Sequence, residues 1–296
     1  MNSSLLALSP HAIIMGRKSD LQAKGEFNMA FQAIKFQKDK HIATMTMNRP
    51  QKLNAMNEEM WTEMVSVFDS LDRDEDVRVL IITGEGRAFC AGGDVSPASQ
   101  GGEKVLEMNH SESIRRYERA HALEVTRHLR RLEIPVIAMV NGVAAGGGMD
   151  LALGCDIRIG CENTRFIVAF TKLGITPAMG GTWFLPRILG YPRAAEIVFT
   201  GDPVEAKEAE KLGLLNRLVP AADLETETMA LATKIAGNPP IALRLAKLQM
   251  FKALTGDLDD NLDLSAPLQT IALLTEDYQE GLASLREKRK PTFKGR

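Results

Sequence analysis

Two stretches of this chain place glycines where chemistry on a carbonyl would need them. One is GEGRAFCAGGDV, residues 84–95, and the other is NGVAAGGGMD, residues 141–150. Each follows a short apolar run, Val77 to Thr83 or Val136 to Val140, that reads as a buried strand. A loop without side chains lets backbone N–H groups approach a ligand closely, and the N-terminus of a following helix favours developing negative charge. Two such N–H groups aimed at one oxygen form an oxyanion hole, where losing one donor costs about 2.7–4 kcal/mol of transition-state stabilisation. Glycine clusters more often mean tight packing, but two of them at two strand ends weigh toward a ligand. Neither loop fits GxGxxG, because GEGRAF ends in Phe89 and GGGMDL in Leu151, so the dinucleotide reading is weak.

One turn beyond the second loop stands Asp150, the acid best placed to serve enolate chemistry. A partly desolvated carboxylate there has its pKa raised toward useful values. The alternative is an acid that stabilises a helix N-terminus. Asp156 reads as structural, paired with Arg158 or Arg187. His121 and His128 share an apolar helix face, where a structural role outweighs a proton shuttle. Cys90 and Cys155 read as small apolar filler. Phe170, Trp183 and Phe184 would shape an apolar pocket or pack the core.

The elements that must position these residues form an α/β core and then a helical part. His41 to Met47 alternates as a strand, and Glu58 to Leu71 reads as a helix. From Glu112 to Leu132 apolar and half-apolar residues recur at three- and four-residue steps, which predicts one long amphipathic helix closed by Pro135. Ile157 to Ile159 and Arg165 to Val168 read as short strands. After Gly190 the pattern turns helical over 193–200, 204–212, 222–236, 240–253 and 277–288. The expected organisation is an extension over 1–28 without fixed structure, an α/β core over 29–200 and a helical region over 201–296.

Composition narrows the partners. The chain has 296 residues, 45% of them apolar and 25% charged, with a formal charge of -2 and an isoelectric point near 6.3. There is no electrostatic case for nucleic acid, and no run of about 18 apolar residues for a membrane span. Three cysteines without CxxC spacing favour neither a disulfide framework nor a zinc site, so a reducing cytoplasm and no metal are expected. The first 28 residues carry too short and badly flanked an apolar patch for a signal peptide.

The motifs RAFCAGGD, IPVIAMVNGVAAGGGMDLALGCDIRI, LGITPAMGG, FTGDPVEAKEAEKLGLLNRLVP and EKRKPTFKGR occur in that order. Together they resemble the crotonase, or enoyl-CoA hydratase/isomerase, superfamily across roughly residues 30 to 296. The resemblance implies a spiral of ββα units with a helical trimerisation region. It also implies a homotrimer or dimer of trimers that binds an acyl-CoA thioester and needs no separate cofactor. It places the oxyanion donors at the N–H groups of Gly93 and Gly147, with Asp150 as acid or base. CoA contacts carry over to Lys52, Leu53, Ala55, Ala91 and Asp94, and to Phe293 from the same or a neighbouring subunit.

The departures from the pattern concern the reaction. Hydratases of this kind use two glutamates; here the first is Asp150 and the second is Phe170, which can neither hold water nor move a proton. A third acid position of related isomerases is Ala178, and the position from which dehalogenases supply a histidine is Leu123. One carboxylate makes double-bond migration easier to write than hydration. Ring-type and dienoyl-CoA isomerases, and a catalytically weak acyl-CoA-binding scaffold, are the alternatives.

Overall fold

The computed structural model describes residues 31–96 and 110–296. The expected N-terminal extension over 1–28 lies outside the described residues. A hairpin opens the fold: β1 (Ile34–Asp39) and β2 (Ile42–Met47) pair antiparallel. Helix α1 (Glu58–Asp72) follows, its first turn capped by the Asn57 side chain accepting from the Met60 N–H. Its apolar face, including Met60, Met64, Val67 and Phe68, is fully buried.

The chain then lays down strands in pairs, one in each of two sheets. The large sheet runs β1-β2-β3-β5-β7-β10, and the small one β4-β6-β8-β9. Strand β3 (Val79–Gly84) enters the large sheet and β4 (Ala88–Cys90) the small one. After two helices, α2 (Ser111–Ala120) and α3 (Ala122–Arg131), β5 (Val136–Val140) and β6 (Val143–Ala145) repeat the step and lead into helix α4 (Gly147–Gly154). A third pass makes β7 (Ile157–Cys161) and β8 (Arg165–Ile167). This repeated strand, strand, helix is the ββα spiral of the crotonase fold. Strand β3 and most of β5 are buried throughout, which is why they read as continuous apolar runs rather than alternations.

The helix expected over 112–132 is two helices. Helix α2 (Ser111–Ala120) and helix α3 (Ala122–Arg131) meet at His121, whose backbone leaves helical geometry at φ -125°, ψ -90°. The break keeps Tyr117, Ala122, Val125 and Leu129 all facing inward, so the apolar periodicity survives it.

The second half adds α5 (Gly181–Leu189), α6 (Tyr191–Thr200), the two-residue strand β9 (Val204–Glu205), α7 (Ala206–Leu212) and β10 (Arg217–Val219). Helices α8 (Leu224–Ala236), α9 (Pro240–Ala253), α10 (Leu258–Leu273) and α11 (Glu276–Glu287) complete it. The helix expected over 204–212 therefore begins two residues late. Asp156 pairs with neither Arg158 nor Arg187: its carboxylate meets Lys247 Nζ at 2.7 Å and Arg130 at 3.5 Å and accepts the Val136 N–H. That cluster ties α9 to the core, with Lys247 also donating to the Ile134 carbonyl. Among the described residues no helix is long and apolar enough to cross a membrane.

Candidate active site

The register of the small sheet brings the glycine loops together. Strands β4 and β6 are parallel, with Cys90 opposite Ala144, so their C-terminal ends open side by side onto 91–93 and 146–147. The approach is close enough that only glycine fits. A Cβ on Gly148 would lie 2.2 Å from the Cys90 carbonyl oxygen, and one on Gly92, at φ +101°, 2.9 Å from the Ala145 oxygen. The same Cβ on Gly92 would stand 3.5 Å from the Gly147 nitrogen.

A third segment fixes the first loop from the other side. Met56 forms a bridge with Gly93, its N–H donating to the Gly92 carbonyl at 2.7 Å while its own carbonyl accepts the Asp94 N–H at 2.8 Å. Neither the Gly93 N–H nor the Gly147 N–H donates to an acceptor among the described residues. Gly147 is the first residue of α4, where the helix leaves its N–H groups without internal partners.

Both glycines line one cavity of about 400 Å³. Met56, Phe170, Leu173, Ile175, Ala178 and Met179 make its wall largely apolar, and Trp61, Tyr117 and Glu118 close another side. Ala91 and Asp94 of the sequence reading are here too. The Asp94 carboxylate meets Arg49 at 2.8 Å and accepts from the Ser96 N–H and hydroxyl. Partial burial pushes that carboxyl up, but Ser96 and Arg49 outweigh it and hold it below its ordinary value. Lys52 is exposed at the end of a short turn, and Ala55 is buried beside it. Leu53 adopts a left-handed conformation at φ 51°.

Between Leu53 and Ala55, Asn54 has a structural role that the sequence does not display. It is fully buried and left-handed at φ 58°. Its side chain accepts the Arg49 N–H and donates to the Glu85 and Ala88 carbonyls. It thus pins the 49–56 segment to the start of β4, and Asn is the residue besides glycine that best tolerates this backbone.

Asp150 is placed otherwise than expected. It is 2% exposed and does not line the cavity, whereas Gly147 and Met179 in front of it do. Its carboxylate accepts the Met179 N–H at 3.1 Å and the Gly181 N–H. Burial pushes its pKa up to about 7, against the pull of those two bonds. An added Cβ on Gly147 would meet Met179 Sδ at 2.7 Å and Met56 Cε at 2.9 Å, so two thioethers cover the glycine.

Other expected contributors fall elsewhere. Trp183 and Phe184 line an adjoining cavity with Leu123 and Thr126, which shares Ala178 and Met179 with the first. Phe293 packs in a groove with Pro239, Tyr278 and Leu285 that has no residue in common with the cavity, and its carbonyl accepts from Arg78. His121 stacks on Tyr117 at 4.3 Å between centroids, with Nε2 3.4 Å from Glu58; His128 sits 3.3 Å from Asp69. Neither histidine reaches the cavity wall. Cys90 is fully buried and its thiol is pushed up to about 12 by desolvation, in keeping with a packing role.

Paired strands in two sheets, with glycine loops meeting over an apolar cavity, define a crotonase-superfamily protein. Residues 37–296 match the family model described as enoyl-CoA hydratase/isomerase, and the chain belongs to that family of enzymes. It is 38% identical over 261 residues to 1,2-epoxyphenylacetyl-CoA isomerase of Escherichia coli, covering 87% of this chain and 97% of that one. It is 36% identical to short-chain-enoyl-CoA hydratase of Clostridium acetobutylicum, covering 88% and 97%. A crystal structure of a putative enoyl-CoA hydratase from Streptomyces coelicolor superposes with a TM-score of 0.86 at 33% identity, covering 94% of this chain and all of that one.

Proposed function

We propose that the cavity holds the thioester of an acyl-CoA, its oxygen on the Gly93 and Gly147 N–H groups, and that the enzyme works through the enolate so stabilised. The observation that carries this reading is the pair of acceptorless N–H groups on adjoining loops of one apolar cavity. Lys52 to Ala55, Ala91 and the Asp94 backbone then lie along the CoA side, on the segment that Met56 bridges to Gly93. No separate cofactor is required for this chemistry. A cytoplasmic setting suits the three buried free thiols.

Asp150 is the proton-transfer carboxyl of this reading. Its pKa near 7 is suited to both taking and returning a proton. It reaches the acyl chain once Met56 and Met179 withdraw from Gly147, a movement that unbranched thioether side chains make readily. One carboxyl moving a proton between two carbons accomplishes double-bond migration. Trp61, Tyr117 and Phe170 on the cavity wall favour a ring-bearing acyl group as a second reading, in line with the name of the Escherichia coli relative.

The test is incubation of the protein in deuterated water with saturated, 2-enoyl- and 3-enoyl-CoA thioesters, followed by mass spectrometry. Deuterium at the α-carbon, or migration of the double bond, is the expected result. A protein that leaves every thioester unlabelled and unchanged is not an enolate enzyme.

The helical region presents a second surface. Leu274 is 81% exposed, Leu285 77% and Leu258 71%, large apolar side chains of the helical region that an interface between copies would cover. We assign these side chains to the contacts of a homotrimer, or a dimer of trimers. Leu274→Lys combined with Leu285→Lys is expected to shift the sedimentation coefficient to that of a monomer. An unchanged value would place the interface elsewhere.

A further inference from the structure

The cavity wall made by α1 and α2 carries polar atoms that the fold itself does not use. Trp61 is 9% exposed and Tyr117 8%. Both rings line the cavity. Among the described residues, Trp61 Nε1 and the Tyr117 hydroxyl have no hydrogen-bond partner. Buried donors are nearly always paired in folded proteins, so an unpaired one asks what completes it. Two on one cavity wall point to an acceptor that arrives with the ligand.

Glu118, the next residue on α2, lines the same cavity and is half-buried. Its carboxylate makes no hydrogen bond or ion pair among the described residues, and burial raises its pKa while His121 pulls the other way. A proton acceptor and two donors in one apolar wall are complementary to an oxygen that carries a proton. Water and an aliphatic hydroxyl both offer a proton to a carboxylate and lone pairs to N–H and O–H donors.

We propose that Glu118 is a second proton-transfer residue of this site, acting as general base on a water that the Tyr117 hydroxyl and Trp61 Nε1 help to hold. The inference rests on the thioester reading above. It supplies from α2 the second acid that is absent at Phe170 and Ala178, and it extends the activity from double-bond migration to hydration.

The step balances without a further reactant. The water O–H bond breaks and its proton passes to Glu118, while an oxygen lone pair forms the C–O bond at the β-carbon of a 2-enoyl thioester. The C=C pair moves toward the thioester oxygen, where the Gly93 and Gly147 N–H groups hold the enolate. The α-carbon then takes a proton from the Asp150 carboxyl, and solvent returns the Glu118 proton to Asp150. The reverse course eliminates water from a 3-hydroxyacyl thioester.

The experiment compares wild type, Glu118→Gln, Glu118→Asp and Tyr117→Phe on two reactions. One is hydration of 2-butenoyl-CoA, and the other is α-carbon deuterium exchange of butanoyl-CoA, which calls on Asp150 but on no water adduct. Glu118→Gln is expected to slow hydration about 100-fold or more, within the range for loss of a general base, with exchange little changed. Glu118→Asp recovers part of the loss, and Tyr117→Phe slows hydration about tenfold, as for one hydrogen bond. Wild-type hydration rates in Glu118→Gln overturn the proposal, as does a wild type that exchanges but never hydrates. Equal loss of both reactions overturns it too, because a structural role would move both. A wild type that does neither removes the thioester reading along with it.

Discussion

Gly148→Ala is expected to slow turnover about 100-fold and to lower the free energy of unfolding by about 3 kcal/mol, at the upper end for an overpacked core position. The new Cβ would stand 2.2 Å from the Cys90 carbonyl oxygen and 2.7 Å from the Cys90 Cβ. Backbone cannot rotate aside as a side-chain end can, so the two glycine loops must move apart until that 2.2 Å approach opens to an ordinary contact, on the order of 1 Å. That shift separates the Gly147 N–H from the Gly93 N–H, and a misplacement of about 1 Å in a catalytic constellation costs about 100-fold. Gly147→Ala makes the informative contrast. Its Cβ meets only the flexible ends of Met179 and Met56, so near-native stability is expected together with loss of thioester binding. Urea titration beside the exchange assay separates the two effects. A Gly148→Ala protein as stable as wild type would mean that the loops yield more easily than their packing indicates.

The contrast also shows which parts of the site a sequence can display. Strands β3 and β5 are buried on both faces, and that burial selects the unbroken apolar runs that made them readable. Of the small sheet β8 was readable, at Arg165 to Val168, but β4 and β6 were not, because they have three residues each and their register is set by packing against one another. Yet that register is what turns two glycine runs into one site. Helix α10 carries no clear apolar periodicity in the sequence, because its first turn is acidic, Pro267 lies inside it and few of its residues are buried. Helix α5 was missed for its opening glycines and Pro186.

Side-chain partners distant in the chain were the hardest to foresee. Asp156 looked toward Arg158, two residues away, whereas its partner Lys247 comes from α9. Glu118 lies in the charged run RRYERA, where nothing in the periodicity singles it out, and only the break at His121 and the packing of Trp61 reveal that it borders a cavity. For Asp150, the acid that follows the glycines, the sequence carries no sign of the two N–H groups from the segment at 179–181 that hold its carboxylate.

Those two N–H groups and the burial around them lead to an expected pH dependence. In the folded protein the Asp150 carboxyl is raised from 3.8 to about 7. Between about pH 4 and pH 7 the folded state therefore keeps a proton that the unfolded chain has released. Its contribution to stability is fully present below pH 4, is lost as pH rises toward 7, and is constant beyond. At about 1.4 kcal/mol for each pH unit the loss approaches 4 kcal/mol across the interval. Asp150→Asn cannot ionise, so its stability relative to wild type should climb by that order between pH 4 and pH 7 in parallel urea titrations. The activity should run the opposite way. If Asp150 is the base proposed above, only its carboxylate can take a proton from the α-carbon, so wild-type exchange should rise to a plateau above a midpoint near pH 7, while Asp150→Asn shows no such limb. An exchange profile unchanged by the substitution would assign that proton to another group on the cavity wall, with Glu118 the first to test. On the proposed mechanism the ionisation that weakens the fold is also the one that arms the site, which would give a carboxyl so costly to bury its use on the first turn behind Gly147.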